Sequence, residues 1–519
     1  MNLDPTPEQH LIIEAFHEGD NMVVEAGAGT GKTTTLQSCA DSTNDKGIYI
    51  AYNKAIAVEA KRKFPRNVEC ATAHSFAFRA VGKNYVSRLE QKTWPEQAAR
   101  ILRIFDPIQV GEVGGEPVYL STKRQAGLVY DMIQRFCFTT DTQVDARHMP
   151  KVTGIEGDAH WELARYLTPF AARAWEDFFD PNGRLGWNKM HDLYLKRWAL
   201  GKPRLPGQFI LFDEAQDANP CTAGVVLDQQ GKQLVAVGDR CQAIYGWRGA
   251  KDAMQTWPAK HRLFLTQSFR FGPAVAQEAN KWLELLEAEL RLSGFDKIPT
   301  TLAELPDNAD AVLCRTNASV IAEAMTAQEK DKRVAIVGGT KDIQAFAKAV
   351  KQLQQGMPTD HPDLSIFKNW EQVKTYVLQE GGGDLGVIVR LIENFGVDVL
   401  QRVAETAVDE KQPHDIVLST AHKAKGREWD KVRIAADFTK PEPHPETGEI
   451  NADPEFMLAY VAVTRAQKVL DRGGLSWVDD LLPGEPIIEG TAEEITDLKP
   501  AIKQSIIKRK ARERKEMAK

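Results

Sequence analysis

The sequence predicts an α/β protein with two parallel β-sheets and helical insertions. Short apolar, β-branched runs alternate with longer helical stretches, as in buried parallel strands that are connected by helices. Several runs end in polar residues, and the carboxyl ends of parallel strands are where such proteins place function. The runs fall into two groups, before and after about residue 272, which indicates two cores: 47–52, 209–212 and 234–237, then 311–313, 334–337, 416–419 and 432–435.

A glycine-rich stretch follows the first apolar run, 22–24, and precedes a helical segment. In this context backbone N–H groups and the positive end of a helix dipole converge on phosphate oxygens. Lys32 would reach the β- and γ-phosphates, and the Thr33 hydroxyl would ligate Mg²⁺. The stretch predicts a site for ATP and Mg²⁺ that consists of Ala26, Gly27, Ala28, Gly29, Thr30, Gly31, Lys32 and Thr33.

Two carboxylates follow the apolar run 209–212. Next to a phosphate-binding loop, the first of such a pair usually holds Mg²⁺ and the second polarises the attacking water. We therefore assign Asp213 to the metal and Glu214 to the water.

The strand signal weakens in two places, which predicts insertions. Residues 87–205 have amphipathic helical patterns with tryptophans, which we expect to be core residues rather than a DNA platform, and 356–410 form a smaller helical insertion. The first core would comprise 1–86 and 206–272, and the second 273–355 and 411–485. The tail, 486–519, changes from acidic to basic and is either a solvated end or a contact for DNA or a partner protein.

Composition excludes several classes of protein. The net charge of −6 means that any nucleic-acid site is a local basic channel rather than a field of the whole protein. Six cysteines without a C-x-x-C pair argue against a zinc site, an iron–sulfur cluster or disulfides. With no signal region and no apolar run long enough to span a bilayer, we expect a cytoplasmic protein without membrane partners.

The segment 238–250 resembles motif III of the UvrD/Rep-type superfamily 1A DNA helicases. The resemblance implies two RecA-like domains, with Gln242 sensing the γ-phosphate and with Tyr245 and Trp247 stacked on bases. Stacking of this kind contributes about 1–3 kcal/mol per base with little sequence preference, as a motor on arbitrary DNA requires.

Further segments resemble the other motifs of that family. For the nucleotide, the resemblance implies that Gln9 reads adenine, Phe269 stacks on it, Glu428 holds the ribose, and Arg270 and Arg465 are arginine fingers. For DNA, it implies contacts by Asn53, Thr72, His74, Asn317 and His422. The likeness is strongest to the F-box DNA helicase family and its bacterial and phage relatives, although Ala73 and Arg427 depart from the motifs. No F-box pattern precedes them, so we expect no ubiquitin-ligase role.

These patterns predict an ATP-dependent helicase or translocase on single-stranded DNA and its junctions with duplex. The resemblance implies 3′→5′ movement and work in repair, recombination or replication. The alternative is a DNA-stimulated ATPase subunit that regulates a partner and unwinds little. A phosphate-loop kinase or signalling ATPase would leave Tyr245, Trp247, His74 and His422 unexplained.

Overall fold

The computed structural model of the chain describes residues 4–113, 116–244, 246, 254–380, 383–442 and 452–482. The described residues up to Leu475 belong to one compact unit, and Ser476 begins a second. Strands within these ranges are β1 (Met22–Ala26), β2 (Gly47–Ile50), β3 (Val68–Ala71), β4 (Ile108–Val113), β5 (Glu116–Leu120), β6 (Phe209–Phe212), β7 (Gln233–Gly238), β8 (His261–Leu265), β9 (Thr301–Leu302), β10 (Ala311–Cys314), β11 (Val334–Ile336), β12 (Ile416–Thr420), β13 (Trp429–Ile434) and β14 (Ala466–Asp471).

Helices connect the strands on both sides of the sheets. The α-helices are α1 (Pro7–His17), α2 (Lys32–Asp41), α3 (Lys54–Lys63), α4 (Ala73–Ala80), α5 (Val86–Glu90), α6 (Pro95–Leu102), α7 (Thr122–Cys137), α8 (Gly157–Phe179), α9 (Asp192–Leu200), α10 (Pro220–Leu227), α11 (Pro273–Leu285), α12 (Asn317–Glu329), α13 (Lys341–Gln354), α14 (Trp370–Glu380), α15 (Gly383–Phe395), α16 (Asp398–Thr406), α17 (Ala421–Ala424), α18 (Asp453–Val463) and α19 (Val478–Leu481). None of the described helices combines the length and the apolar character that crossing a bilayer requires.

Two six-stranded parallel sheets confirm the predicted α/β class. The first sheet has the order β3-β2-β6-β7-β1-β8, and the second has the order β11-β12-β10-β13-β14-β9. In the first sheet β1 lies between β7 and β8, with Val23 opposite Ala236 and Arg262. The carboxyl ends of β1, β6 and β7 therefore lie at the same end of the sheet. The phosphate-binding loop follows β1 there, and the paired carboxylates follow β6.

Three of the four strands of the two large sheets that the sequence did not predict lie at sheet edges. β3 and β8 are the two edges of the first sheet, and β9 is one edge of the second, next to the fourth unpredicted strand, β14. β8 has one buried residue and β9 has none, so neither has the apolar run of a central strand. β3 is mostly buried, but Glu69 interrupts its apolar run, whereas the other edge of the second sheet, β11, is fully buried and was predicted.

The segment 87–205 contains an unpredicted antiparallel hairpin, β4–β5, in addition to its helices. Its tryptophans divide into two groups. Trp187 and Trp198 are buried and Trp175 is half-buried, as expected for core residues, but Trp94 and Trp161 are 54% and 46% exposed, so the core prediction is wrong for these two. The boundaries of the two cores and of the insertions remain a prediction.

Candidate functional site

The phosphate-binding loop joins β1 to α2 at the carboxyl ends of the strands of the first sheet. Ala26 is the last residue of β1, so the loop begins at Gly27 rather than at Ala26 as the motif predicted. Gly29 and Gly31 have φ angles of 75° and 80°, which favour glycine. A Cβ on Gly29 would also lie 2.6 Å from the Cβ of Arg270. The Thr30 hydroxyl donates to the Gly27 carbonyl at 2.9 Å and braces the turn.

The predicted metal ligands, Thr33 and Asp213, meet directly. The Thr33 hydroxyl donates to Asp213 Oδ2 at 3.0 Å, and the Tyr49 hydroxyl donates to the same oxygen at 2.5 Å. A hydroxyl and a carboxylate are hard oxygen donors, the kind that Mg²⁺ prefers, so this pair fits the ion. Tyr49 was not predicted, because nothing in the sequence of β2 distinguishes it from a core aromatic.

Glu214 follows Asp213 in a left-handed conformation, with φ 51° and ψ 43°. Such a conformation is uncommon for a residue with a side chain and tends to occur at functional positions. Its carboxylate lies 3.9 Å from Lys32 Nζ and accepts a hydrogen bond from Gln216 at 2.6 Å. The residue with the strained backbone is thus the one whose carboxylate lies beside the lysine of the phosphate-binding loop.

Burial and neighbouring charges shift the pKa values of the two adjacent carboxyl groups in opposite directions. Burial, with the charge of Glu214, raises the pKa of Asp213 to about 6. Burial also disfavours the charged form of Glu214, but Lys32 and Lys425 outweigh it and the pKa of Glu214 is lowered. Glu214 is therefore held as the ionised group, the form that can accept a proton from water.

The predicted γ-phosphate sensor, Gln242, belongs to a buried polar network. Its amide donates to Asp239 Oδ2 at 2.6 Å, and the Tyr460 hydroxyl donates to the same oxygen at 3.0 Å. Tyr460 belongs to α18, which immediately precedes the predicted arginine finger Arg465, and its hydroxyl also accepts a hydrogen bond from the Ala28 N–H at 3.3 Å. The network therefore joins the phosphate-binding loop to a helix that lies between β13 and β14 of the second sheet.

The second sheet contributes cations to the same place. Lys425, which follows α17, donates to both oxygens of Asp217 at 2.6 and 2.7 Å and to the Gln242 carbonyl. Arg465 is fully buried beside Gln242, with Nη2 3.4 Å from Gln242 Oε1, and burial lowers its pKa to about 9. Asp217 pairs with Lys425 across the two sheets, although burial raises its pKa to about 6.

A cavity of about 150 Å³, which we call the nucleotide cavity, lies where these groups meet. Eight of the predicted residues line it, together with Tyr52, Ile56, Asp217, Lys425 and Gly426. The eight are Ala28, Gly29, Lys32, Asn53, Glu214, Gln242, Arg270 and Arg465.

Three residues that were predicted to bind adenosine do not line the nucleotide cavity. Gln9 is buried and donates to Thr35 Oγ1 at 3.0 Å, and its carbonyl caps the start of α1. Phe269 packs edge-on against Phe295 with 5.4 Å between ring centroids. Glu428 is exposed and accepts a hydrogen bond from Arg270 Nε at 2.6 Å. Their roles toward adenosine remain predictions.

A larger cleft of about 720 Å³, which we call cleft 1, is lined by three of the predicted DNA contacts of the first core, Asn53, Thr72 and His74. Asn53 caps α3 and Thr72 caps α4, so both polar side chains are held at helix starts that line this cleft. His74 Nε2 lies 3.0 Å from Asp192 at the start of α9. Tyr52, Asn53, Glu214 and Asp217 line both cleft 1 and the nucleotide cavity.

A second cleft of about 950 Å³, cleft 2, contains Asn317 at the start of α12. His422 is half-buried in α17, and its neighbour Lys423 lines this cleft. The predicted base-stacking residues Tyr245 and Trp247 lie outside the described residues, as does the tail 486–519 that was predicted to bind a partner.

Besides Tyr49, the structure adds four polar residues that no prediction named: Asp217, Asp239, Lys425 and Tyr460. Each lies three to five positions from a residue that the sequence analysis assigned, namely Glu214, Gln242, His422 and Arg465. That proximity was their only signal in the sequence, and only the fold brings Lys425 to Asp217 across 208 residues.

Two family models match the chain, one in each half. The model of the UvrD/REP helicase N-terminal domain matches residues 6–256, and that of the UvrD-like helicase C-terminal domain matches 319–471. F-box DNA helicase protein 1 of Schizosaccharomyces pombe is 30% identical over 90% of this chain and 57% of its own length. F-box DNA helicase 1 of Gallus gallus is 29% identical over 89% and 48%. ATP-dependent DNA helicase UvrD2 of Mycobacterium tuberculosis is 26% identical over 52% and 47%. The chain spans about half the length of these relatives.

Proposed function

Because the chain belongs to the UvrD/Rep family of DNA helicases, we propose that it is an ATP-driven motor that moves along single-stranded DNA and separates duplex ahead of it. One observation carries the proposal. Groups at strand ends of both sheets, with Lys32 and Glu214 from the first and Arg465 from the second, surround one nucleotide cavity beside cleft 1.

In this proposal the first sheet binds ATP and activates water. The loop N–H groups and Lys32 hold the β- and γ-phosphates. Glu214 accepts a proton from the attacking water, whose oxygen bonds to the γ-phosphorus while the bond to the leaving ADP oxygen breaks. Gln242, 2.6 Å from Asp239, orients the γ-phosphate side of the cavity.

Thr33 and Asp213 would hold Mg²⁺ in this arrangement. When bound, the ion neutralises charge on the phosphate oxygens. The protein's own contribution is to fix the two oxygen donors, and Tyr49 does this by its hydrogen bond to Asp213.

Arg465 makes hydrolysis depend on closure of the two sheets. A fixed guanidinium that neutralises charge on the transferred phosphoryl group increases the rate by about 10³–10⁵. Arg465 lies between α18 and β14 of the second sheet, whereas Arg270 follows β8 of the first, so ATP favours the closed cleft and loss of phosphate allows it to open. Alternate closing and opening would move the two halves along a strand.

The nucleic-acid contacts assigned by the motifs complete the proposal. Asn53, Thr72 and His74 in cleft 1 and Asn317 beside cleft 2 would hold a single strand, with His422 near the latter. We further propose 3′→5′ movement and work within the cell on junctions in repair, recombination or replication. A partner protein at the tail 486–519 belongs to the same proposal.

A strand-displacement assay tests the function. Duplexes with a 3′ or a 5′ single-stranded tail are incubated with the protein, ATP and Mg²⁺, with Glu214→Gln as the inactive control. Release of the strand from the 3′-tailed duplex alone supports the proposal. Hydrolysis that single strands stimulate, without displacement on either duplex, would contradict it and favour a DNA-stimulated ATPase subunit that regulates a partner.

A further inference from the structure

One loop of the segment 87–205 separates cleft 1 from cleft 2. Pro150 lines cleft 1, and the next residue, Lys151, lines cleft 2 together with Thr153. Since consecutive Cα atoms are about 3.8 Å apart, the two clefts meet at this loop. A strand that occupied both clefts would have to cross it.

The loop is held rigidly while its lysine stays exposed. Met149, Val152 and Ile155 are buried, and Val152 and Ile155 form a short antiparallel bridge. Gly154 has a φ angle of 74° and packs so closely on Ile366 that a Cβ would lie 2.4 Å from its Cδ1. Anchoring on both sides presents Lys151 at a fixed position, which reduces the entropy lost when it binds a ligand.

Arg135, at the end of α7, lies close to the same place. Arg135 lines cleft 1. Burial of His160, together with the positive charges of Arg135 and Lys151, lowers the pKa of the His160 imidazole. Both cations are therefore near one imidazole ring. Each is exposed, and within the described residues neither side chain forms an ion pair.

Several carboxylates near the loop have other cationic partners. In cleft 1, Asp131 lies 3.6 Å from Arg124, although the charge of Arg135 also favours its ionised form, and Asp217 pairs with Lys425. In cleft 2, Asp342 lies 4.0 Å from Lys423, whereas Glu156, on the same loop as Lys151, is exposed and forms no ion pair with any described residue. Among the described residues none of these carboxylates forms an ion pair with Arg135 or Lys151, so both cations can bind a ligand.

We propose that Arg135 and Lys151 form a cationic ridge that binds the phosphate backbone of single-stranded nucleic acid as it passes from cleft 1 to cleft 2. The proposal rests on the proposed function, because it requires a single strand in both clefts. It adds a binding site on the segment 87–205, whereas the motifs assign DNA contacts only to the two cores. Backbone contacts of this kind position a strand without reading its sequence.

The first test is the salt dependence of binding. The full chain with Arg135→Ala and Lys151→Ala is titrated against a labelled oligo-dT of about 20 nucleotides, long enough for a binding site of this class, without ATP. Loss of two phosphate contacts lowers the slope of log K against log salt by about 1.4 and weakens binding at low salt by about tenfold or more. A matched control, Arg173→Ala with Arg184→Ala, removes two exposed charges of the same segment that line neither cleft.

The possible outcomes distinguish failure of the cationic ridge from failure of the proposed function. Binding by the double variant that equals the control, with the unsubstituted chain binding normally, would overturn the ridge alone. An unsubstituted chain that binds no single strand would overturn the proposed function. Because both side chains are exposed, the unfolding temperature should stay close to that of the unsubstituted chain.

Cysteine chemistry provides an independent measurement. All six native cysteines are buried, so Lys151→Cys places one accessible thiol on the ridge and Arg184→Cys places one away from it. Saturating oligo-dT should slow maleimide labelling of Lys151→Cys by about tenfold or more and leave Arg184→Cys unchanged. Equal labelling rates with and without oligo-dT at both positions would refute the ridge.

Discussion

The two sheets contribute different charges to the site around the nucleotide cavity. The first provides the carboxylates Asp213, Glu214 and Asp217 with the cations Lys32 and Arg270, whereas the second provides the cations Lys425 and Arg465. The first set can bind phosphates and activate water, but it lacks the second arginine that neutralises charge as the γ-phosphoryl leaves. Neither sheet is therefore a complete enzyme, and the rate of hydrolysis depends on their closure.

We expect the largest effect on activity when a cation of the second sheet is removed. Arg465→Ala should lower kcat for ATP hydrolysis by about 10³ or more, because the guanidinium acts on the transition state. ATP affinity should change only a few-fold, as measured by fluorescent-nucleotide titration. Arg465→Lys keeps the charge but loses the planar fork, and should recover only part of the rate. A loss below about tenfold for Arg465→Ala would contradict the assignment.

Removing the base of the first sheet should have the next largest effect. Glu214→Gln should lower kcat by about 10²–10⁴, because the amide cannot accept the proton from water. Lys32→Ala should likewise abolish hydrolysis, because the variant loses the contact of Lys32 with the β- and γ-phosphates. Binding of single-stranded DNA should remain within a few-fold in both variants. The exposed Glu59→Gln serves as the control, and near-normal turnover in Glu214→Gln would refute the role of this carboxylate.

A pH series examines the carboxylate that contacts the second sheet. The folded pKa of Asp217 is raised from 3.8 to about 6, so the folded chain binds more protons than the unfolded chain between these values. Relative to Asp217→Asn, the free energy of unfolding should therefore fall by about 3 kcal/mol as pH rises through this window. Urea denaturation at both ends of the window measures it. A relative stability that rises with pH would mean that Lys425 more than offsets the burial.

The smallest expected effect is the coupling between the two sheets. Asp217→Asn and Lys425→Met each break the ion pair, so each should lower kcat/KM for ATP, and the double variant should lose less than the sum. The coupling free energy should be about 1–3 kcal/mol. The exposed pair Asp430 and Lys468, 2.7 Å apart within the second sheet, gives a matched cycle that should be additive. Additivity at Asp217 and Lys425 would show that their contact does not couple the sheets.

The nucleotide cavity was largely predictable from the sequence, because its residues lie at fixed spacings after strands. Lys32, Glu214 and Arg465 could be named from motifs alone, and the fold brings them together. The ion pair of Asp217 with Lys425 could not be predicted, since it depends on how two sheets face each other. Edge strands such as β8 were missed because partial burial leaves no apolar run.

The clefts were less predictable than the cavity. Their walls come partly from the segment 87–205, where helical patterns predict local structure but not which side chains face a cleft. Arg135 and Lys151 belong to different elements, and only the folded loop brings both near His160. The exposed Trp94 and Trp161 illustrate the same limit, since composition alone favoured burial.

The most direct test of the account is steady-state ATP hydrolysis with and without single-stranded DNA, compared with equal amounts of duplex and RNA. If a strand in the clefts promotes closure of the two sheets, single-stranded DNA should stimulate hydrolysis by about tenfold or more. Duplex should stimulate far less. Rapid hydrolysis that is indifferent to nucleic acid would contradict the account, because the nucleotide cavity would then close without a strand in the clefts.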